Sequence, residues 1–141
     1  NDLSITAKRN SVKVEELCKV FTFNNINQMI STVTSEICQN LSFDKIISST
    51  FPMGSMTGAP KIKSMQLIDK FEDFNRGIYS GTIGYIDSKN NFDFNVVIRT
   101  IIYDQKDHNL SFPVGSAITS ESDPSIEYEE CIEKLKSVFV F

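Results

Sequence analysis

The sequence predicts a domain of the α+β class. Two strand-like runs, 77–87 and 92–104, are separated by the short polar segment SKNN, which is typical of a β-hairpin. A third strand-like run, 109–119, follows directly, and a helix start at Ser122-Asp123-Pro124 comes only after it. Strands that are grouped in this way, and do not alternate singly with helices, indicate α+β and not a parallel βαβ arrangement.

The composition excludes several classes of protein. With 141 residues, of which 40% are hydrophobic, the chain is long enough for one domain and too apolar for disorder. A net charge of −4 argues against nucleic-acid binding, which normally needs a basic surface. No apolar run approaches the roughly 20 residues of a membrane-spanning helix. The three cysteines, without a CxxC pair, indicate buried thiols in a reducing cytoplasm and neither a disulfide framework nor a zinc site.

The N-terminal half is predicted to contain extended segments and one short helix. Residues 11–20 begin as a short extended piece that turns into a helical start. An Asn-rich turn over 22–28 leads into a strand over 29–37, where β-branched residues follow a period of two. Residues 44–51 are expected to form a helix that Pro52 stops.

A loop rich in glycine and proline, 52–60, precedes a predicted amphipathic helix over 60–73, with Pro60 in its first turn. The loop differs from a phosphate-binding P-loop, because three residues and not four separate its glycines and Ala-Pro precedes Lys61. Nucleotide binding is therefore not expected. A helix N-terminus that holds an anionic group and an ordinary helix entry both remain open.

The C-terminal segment is predicted to contain an edge strand and a helix. Pro113 lacks an N–H, so the strand over 109–119 must lie at a sheet edge or carry a bulge there. Asp123 is the expected N-cap of the last helix and Pro124 its first residue. One stripe of that helix carries Tyr128, Ile132, Leu135 and Phe139.

Acidic residues cluster at the start of this helix. Glu127 and Glu130 lie three residues apart and share a helix face, with Glu129 between them. Paired carboxylates suit Mg²⁺, which takes oxygen ligands and keeps several waters. Acids near a helix start also complement the helix dipole without any ligand. The pattern alone leaves both readings open.

Arg99 lies within the apolar run VVIRTII. A buried Arg requires an anion, and its planar fork suits a carboxylate, whereas an Arg on an exposed strand face would point into solvent. Tyr79, one strand earlier, could place its hydroxyl nearby or simply pack. His108 lies in a polar turn and is expected to be solvated, not a general base.

Four segments together resemble a known enzyme family. In order they are FPMGSMTGAPKIKSMQLIDKFE, RGIYSGTIGYID, DFNVVIRT and VGSAITSESDPSIEYEECIEKL. They resemble the C-terminal part of the chorismate-utilising enzymes, which include anthranilate synthase component I, aminodeoxychorismate synthase component I, isochorismate synthases and salicylate synthases. The opening Asn1-Asp2-Leu3, without a preceding Met, is similar to the family's Arg-Asn-Asp-Leu, so we expect a longer parent chain.

The resemblance implies a four-layer α/β/β/α fold in which two packed, antiparallel-rich sheets lie between outer helices. Residues 1–141 would be the C-terminal portion of this catalytic domain, with the N-terminal portion absent. Because such a portion would expose sheet surface, we expect it to associate with the rest of its chain or with a copy of itself.

The resemblance also implies a set of site residues. Glu130 matches the family's Mg²⁺ ligand, and Glu127 matches its companion acid. Gln28 stands where many members carry a His that is tied to pyruvate elimination, and Ala117 replaces a common glycine. The substrate-binding positions of the family correspond to Tyr79, Arg99, Gly115, Ser116, Ala117 and Lys134.

The implied activity is that of aminodeoxychorismate synthase component I, because RGIYSGTIGYID and DFNVVIRT are most similar to that branch and because of Gln28. Such an enzyme converts chorismate and ammonia, supplied by a glutaminase partner, to 4-amino-4-deoxychorismate for p-aminobenzoate and folate synthesis. Anthranilate synthase component I is the nearest alternative, and isochorismate or salicylate synthase is more distant. The non-enzyme alternative is an inactive fragment that only binds a partner or substrate.

Overall fold

The computed structural model describes residues 1–24, 26–136 and 138. The chain divides into two compact units, Asn1–Gln66 and Leu67–Phe141. In the described part of both units, the strands pair as antiparallel two-stranded sheets, and the α-helices lie between or after these pairs; a short 3-10 helix, Leu3–Ile5, precedes the first pair. The predicted α+β class is therefore confirmed.

The first unit contains a long hairpin. Strand β1 (Lys13–Thr22) pairs with β2 (Asn27–Thr34), with register shifts on both sides of Glu16 and a left-handed residue at Cys18 (φ 49°). The strand predicted over 29–37 is confirmed with shifted bounds, but the helical start within 11–20 is wrong. Pairing with β2 stabilises the extended backbone of residues 13–20. The register shifts on both sides of Glu16 are β-bulges, which interrupt the regular alternation of side chains along the strand.

Helices end the first unit, and the last of them extends from the first unit into the second. The predicted helix over 44–51 is confirmed as α1 (Phe43–Thr50). The loop over 52–60 contains a single helical turn, α2 (Gly54–Thr57), and α3 (Lys61–Phe71) begins just after Pro60, not with it. Lys61 ties α3 to the N-terminal segment, because its Nζ lies 2.6 Å from Asp2 Oδ2 and 3.3 Å from the Thr50 carbonyl oxygen.

The second unit opens with the predicted hairpin, which is confirmed but shorter. Strand β3 (Thr82–Ile86) pairs with β4 (Phe92–Val96) in a regular register. In the connecting turn, the Asp87 carboxylate accepts hydrogen bonds from the Lys89 and Asn91 backbone N–H groups, each at 2.8 Å. Residues 77–81 form turns and not strand.

The run predicted as one strand over 92–104 is divided. The chain leaves β4 after Val96 and forms β5 (Ile102–Asp104), which pairs with β6 (Asn109–Ser111). The strand predicted over 109–119 therefore ends at Ser111. Pro113, which cannot donate to a ladder, follows two residues later, and residues 112–119 are not in a strand, so the expectation of an edge strand or a bulge at Pro113 is wrong.

The last helix, α4 (Pro124–Lys136), is confirmed. Its predicted apolar stripe is only partly covered, since Ile132 and Leu135 are half-buried while Tyr128 is exposed. Phe139 lies outside the described residues.

Little of the described chain is fully buried. Val97, 2% exposed, is its one buried hydrophobic residue. The predicted burial of the thiols is wrong for this structure, because Cys18 and Cys38 are exposed and Cys131 is half-buried. Nearly all residues of β1 and β2 are exposed on both faces of the hairpin, and Cys18 on β1 is exposed with them. In the part of the chain that is described, no helix has the length and apolar character needed to span a bilayer.

Candidate functional site

The start of α4 fixes the positions of the acidic residues. Asp123 Oδ1 accepts hydrogen bonds from the backbone N–H groups of Ser125 (2.8 Å) and Ile126 (3.2 Å), so it is the predicted N-cap. The helix therefore begins at Pro124, and the two acids three residues apart, Glu127 and Glu130, are placed on one face.

The hydroxyl of Ser116 contacts the acidic face of α4. Ser116 Oγ donates to Glu127 Oε2, and after Lys134, the largest cause, the Ser116 side chain also lowers the pKa of Glu130. The segment after β6 thus brings Ser116 against the acidic face of α4. The structure places these three predicted site residues together.

Lys134 lies one helical turn beyond Glu130 and forms an ion pair with it. Its Nζ also donates to the Gly115 carbonyl oxygen at 2.8 Å. The hydrogen bond from Lys134 is the main reason that the pKa of Glu130 lies below its usual range, although the carboxylate side chain is 53% exposed. The lysine therefore connects α4 to the segment that carries Ser116.

Arg99 is neither in a strand nor buried, which corrects the expectation of a strand arginine. It lies at an exposed bend between β4 and β5 with a left-handed backbone (φ 52°), because regular pairing ends at Val96. Its positive charge still contributes to lowering the pKa of Glu130. Of the two alternatives left open by the sequence, the solvent-exposed arginine is the one observed.

Tyr79 approaches the same segment from the turn before β3. A Cβ atom at Gly115 would lie 2.8 Å from the Tyr79 hydroxyl oxygen. The half-buried ring of Tyr79 is also faced by Arg76, whose guanidinium carbon lies 6.0 Å from the ring centroid. Tyr79, Gly115, Ser116, Lys134 and both acids thus belong to one neighbourhood.

Two further predicted site residues, Gln28 and Ala117, have other contacts. Gln28 belongs to the first unit, where it is exposed on β2 opposite Phe21 and its amide nitrogen lies 3.4 Å from the Met29 carbonyl oxygen. Ala117 is exposed, and its carbonyl oxygen lies 3.5 Å from the hydroxyl of Ser122.

The donor set of Glu127 and Glu130 fits a magnesium ion. Mg²⁺ is commonly held by one or two carboxylates, with water and substrate oxygens completing its shell. No group of three or more His, Cys, Asp or Glu side chains suited to a metal occurs within the described ranges. The pair on α4 would therefore be the protein's contribution from this part of the chain.

Sequence reasoning missed Arg76. Its guanidinium is held by Glu72, four residues earlier, through contacts of 2.7 Å (Nε to Oε2) and 2.5 Å (Nη2 to Oε1). The i,i+4 spacing of Glu72 and Arg76 could have indicated their ion pair from the sequence. The contact of Arg76 with the Tyr79 ring could not be predicted in this way, because it depends on the conformation of the turn between them.

Comparison with known proteins gives a consistent result. Residues 1–140 match the model of a family described as chorismate binding enzyme. A putative aminodeoxychorismate synthase of Schizosaccharomyces pombe is 40% identical over 138 residues, which cover 98% of this chain and 19% of that protein. Anthranilate synthase component 1 of Aquifex aeolicus is 34% identical over 138 residues, or 98% of this chain and 28% of that protein.

A solved structure is similar as well. The crystal structure of anthranilate synthase component I from Streptococcus pneumoniae superimposes with a TM-score of 0.85 at 31% identity, covering 98% of this chain and 31% of that one. The chain therefore spans less than a third of each of these three proteins.

Proposed function

We propose that this chain, which belongs to the family of chorismate binding enzymes, contributes to the active site of an aminodeoxychorismate synthase. The whole protein would replace a ring hydroxyl of chorismate by an amino group from ammonia. The observation that carries the proposal is the convergence of Glu127, Glu130, Ser116 and Lys134 at one place. Relatives at 40% identity named as aminodeoxychorismate synthases support the choice of reaction.

The residues suit a substrate with two carboxylates. Lys134 and Arg99 supply positive charge, Tyr79 supplies a hydroxyl donor, and the backbone N–H groups of residues 115–117 supply neutral donors. Glu127 and Glu130 would hold Mg²⁺, which when bound supplies a positive charge for a substrate carboxylate. With these groups in place, the chain's own contribution is to bind and orient chorismate.

The source of ammonia would be a glutaminase subunit or domain, and the product would enter p-aminobenzoate and folate synthesis in the cytoplasm. Gln28, in place of the histidine common in relatives, favours amination without pyruvate elimination. Anthranilate synthase is the second candidate, and the 34% identity to the Aquifex aeolicus protein favours it. Isochorismate or salicylate synthase is a more distant alternative, and a non-catalytic binding fragment is the alternative outside the enzymes.

The test is incubation of the whole protein with chorismate, Mg²⁺ and ammonia, with the products separated by chromatography. We expect 4-amino-4-deoxychorismate. Anthranilate together with pyruvate would overturn the choice of reaction, and unchanged chorismate would favour the binding fragment.

Glu130→Gln is the matched variant for the site. It should abolish Mg²⁺-dependent turnover and weaken the binding of Mn²⁺ measured by electron paramagnetic resonance. Glu129→Gln changes the neighbouring residue on the same helix in the same way and should leave both unchanged. Equal behaviour of the two variants would remove Glu130 from the site.

A further inference from the structure

A salt bridge at the end of α3 fixes the orientation of one arginine. Arg76 meets both carboxylate oxygens of Glu72, at 2.7 Å from Nε and 2.5 Å from Nη2, and the two side chains are only 22% and 28% exposed. Its third nitrogen donates to Ser80 Oγ at 3.1 Å. A forked, two-point contact of this kind restricts a planar guanidinium far more than a single hydrogen bond does.

The oriented guanidinium faces the ring of Tyr79 at 6.0 Å. The intervening turn is itself fixed, because the Tyr79 N–H donates to the Arg76 carbonyl oxygen at 3.0 Å and Gly77 has the left-handed φ of 58°. The next residue is tied to the end of β4, since the Ser80 N–H donates to the Val97 carbonyl oxygen at 3.0 Å. Val97 is the one buried hydrophobic residue among the described residues. The turn that carries Tyr79 is therefore hydrogen-bonded to a buried part of the backbone.

The other end of Tyr79 lies at the candidate site. Its hydroxyl oxygen would be 2.8 Å from a Cβ at Gly115, the residue whose carbonyl oxygen accepts from Lys134. Arg76, held by Glu72, thus faces the ring of Tyr79. The hydroxyl at the other end of that ring lies close to Gly115, in the segment that carries Ser116.

We infer that Arg76 is a positioning residue: held by Glu72, it keeps the Tyr79 hydroxyl at Gly115. The importance of this position for catalysis rests on the proposed function, in which Tyr79 contacts the substrate. The contact of a guanidinium with an aromatic face is strongest when the cation is held in place, and the Glu72 fork holds it.

The position of Tyr79 can be followed without substrate. The whole protein is labelled with fluorotyrosine, and Tyr79→Phe identifies the Tyr79 signal in the fluorine NMR spectrum. Arg76→Gln and Glu72→Gln should both shift or broaden that signal, and Arg76→Lys, which keeps the charge, should shift it less. Lys70→Gln removes a cation 5.1 Å from the Phe71 ring on the same helix and should leave it unchanged.

An unshifted Tyr79 signal in folded Arg76→Gln, with a native circular dichroism spectrum, would overturn the inference. If that variant does not fold, Glu72→Gln decides in the same way, because it frees the arginine without removing it.

Kinetics separate this inference from the proposed function. Arg76→Gln should raise the KM for chorismate about tenfold, the size expected for loss of one charge-assisted contact, with a smaller change in kcat. In the Tyr79→Phe background the same substitution should have little further effect, because both act through one hydroxyl. A rise of the KM that is equally large in both backgrounds would overturn the inference. A shifted signal with unchanged KM would support it and contradict the substrate role of Tyr79.

Discussion

Gly115 leaves the space that the hydroxyl of Tyr79 uses: a methyl group at residue 115 would come within 2.8 Å of the phenolic oxygen. The same glycine offers its carbonyl oxygen to Lys134 at 2.8 Å. A side chain at residue 115 would therefore displace the hydroxyl of Tyr79 directly. The lysine contact is made by the backbone and does not depend on the side chain.

Gly115→Ala is expected to move Tyr79 without unfolding the chain, because the clashing atom is the far end of a side chain. The KM for chorismate in the whole protein should rise about tenfold, as for one lost hydrogen bond to a charged group. Gly54→Ala is the control, since a Cβ there meets only Asp2 Oδ2 at 3.9 Å. A KM that does not change on Gly115→Ala would show that the Tyr79 hydroxyl has room to move without cost to binding.

Lys134→Met should change two affinities in opposite directions. The ammonium of Lys134 pairs with the Glu130 carboxylate, and it therefore competes with a cation for the same oxygens. Its removal should tighten Mn²⁺ binding in titrations, while the KM for chorismate rises about tenfold through loss of a positive charge. Lys136→Met, which removes an exposed lysine paired with Glu133, should change neither. Weaker Mn²⁺ binding in Lys134→Met would contradict the competition.

Asp123→Ala should loosen the start of α4. The carboxylate accepts from the Ser125 and Ile126 N–H groups, and loss of such a cap costs about 1 kcal/mol. Hydrogen exchange of these two amides, measured by NMR, should accelerate accordingly. Asp123→Asn retains the accepting oxygen and should exchange at nearly the wild-type rate. Equal rates in all three proteins would mean that the cap does not stabilise the helix start.

The turn of the β3–β4 hairpin should depend on pH through Asp87. Hydrogen bonds from the Asn91 side chain and backbone lower the pKa of Asp87 below its usual value of 3.8. A lowered pKa in the folded state means that the stabilisation is present above the unfolded-state pKa and is lost as pH falls through the folded-state value. Unfolding followed between about pH 5 and about pH 2 should therefore show a smaller loss of stability on acidification in Asp87→Ala than in wild type.

Asp107→Ala is the control for this pH dependence, because Asp107 is exposed in the turn between β5 and β6. Its loss of stability on acidification should match that of wild type. If Asp87→Ala also matches wild type, the carboxylate of Asp87 does not contribute through its ionised form.

Local patterns sufficed wherever the decisive interactions lie within a few residues. The SKNN turn between two strand-like runs indicated the β3–β4 hairpin, and Asp123-Pro124 indicated the start of α4 because a cap acts on the next two or three N–H groups. The i,i+3 spacing placed Glu127 and Glu130 on one face for the same reason. The grouping of the strands indicated the α+β class, and the four motifs, in their order along the chain, indicated the family.

The remaining features depend on contacts between residues far apart in the sequence. Residues 11–20 are extended because β2 supplies their hydrogen-bond partners, and Arg99 leaves the sheet because pairing ends at Val96. No local pattern places the Ser116 hydroxyl against Glu127 or Arg76 against Tyr79. The sequence by itself determined the family, helix α4 and the position of Glu127 and Glu130 on one face of it. Only the tertiary structure decided that Ser116 meets this face and that Lys134 also binds the Gly115 carbonyl oxygen. These contacts depend on the path of the chain after β6, which no local pattern specifies.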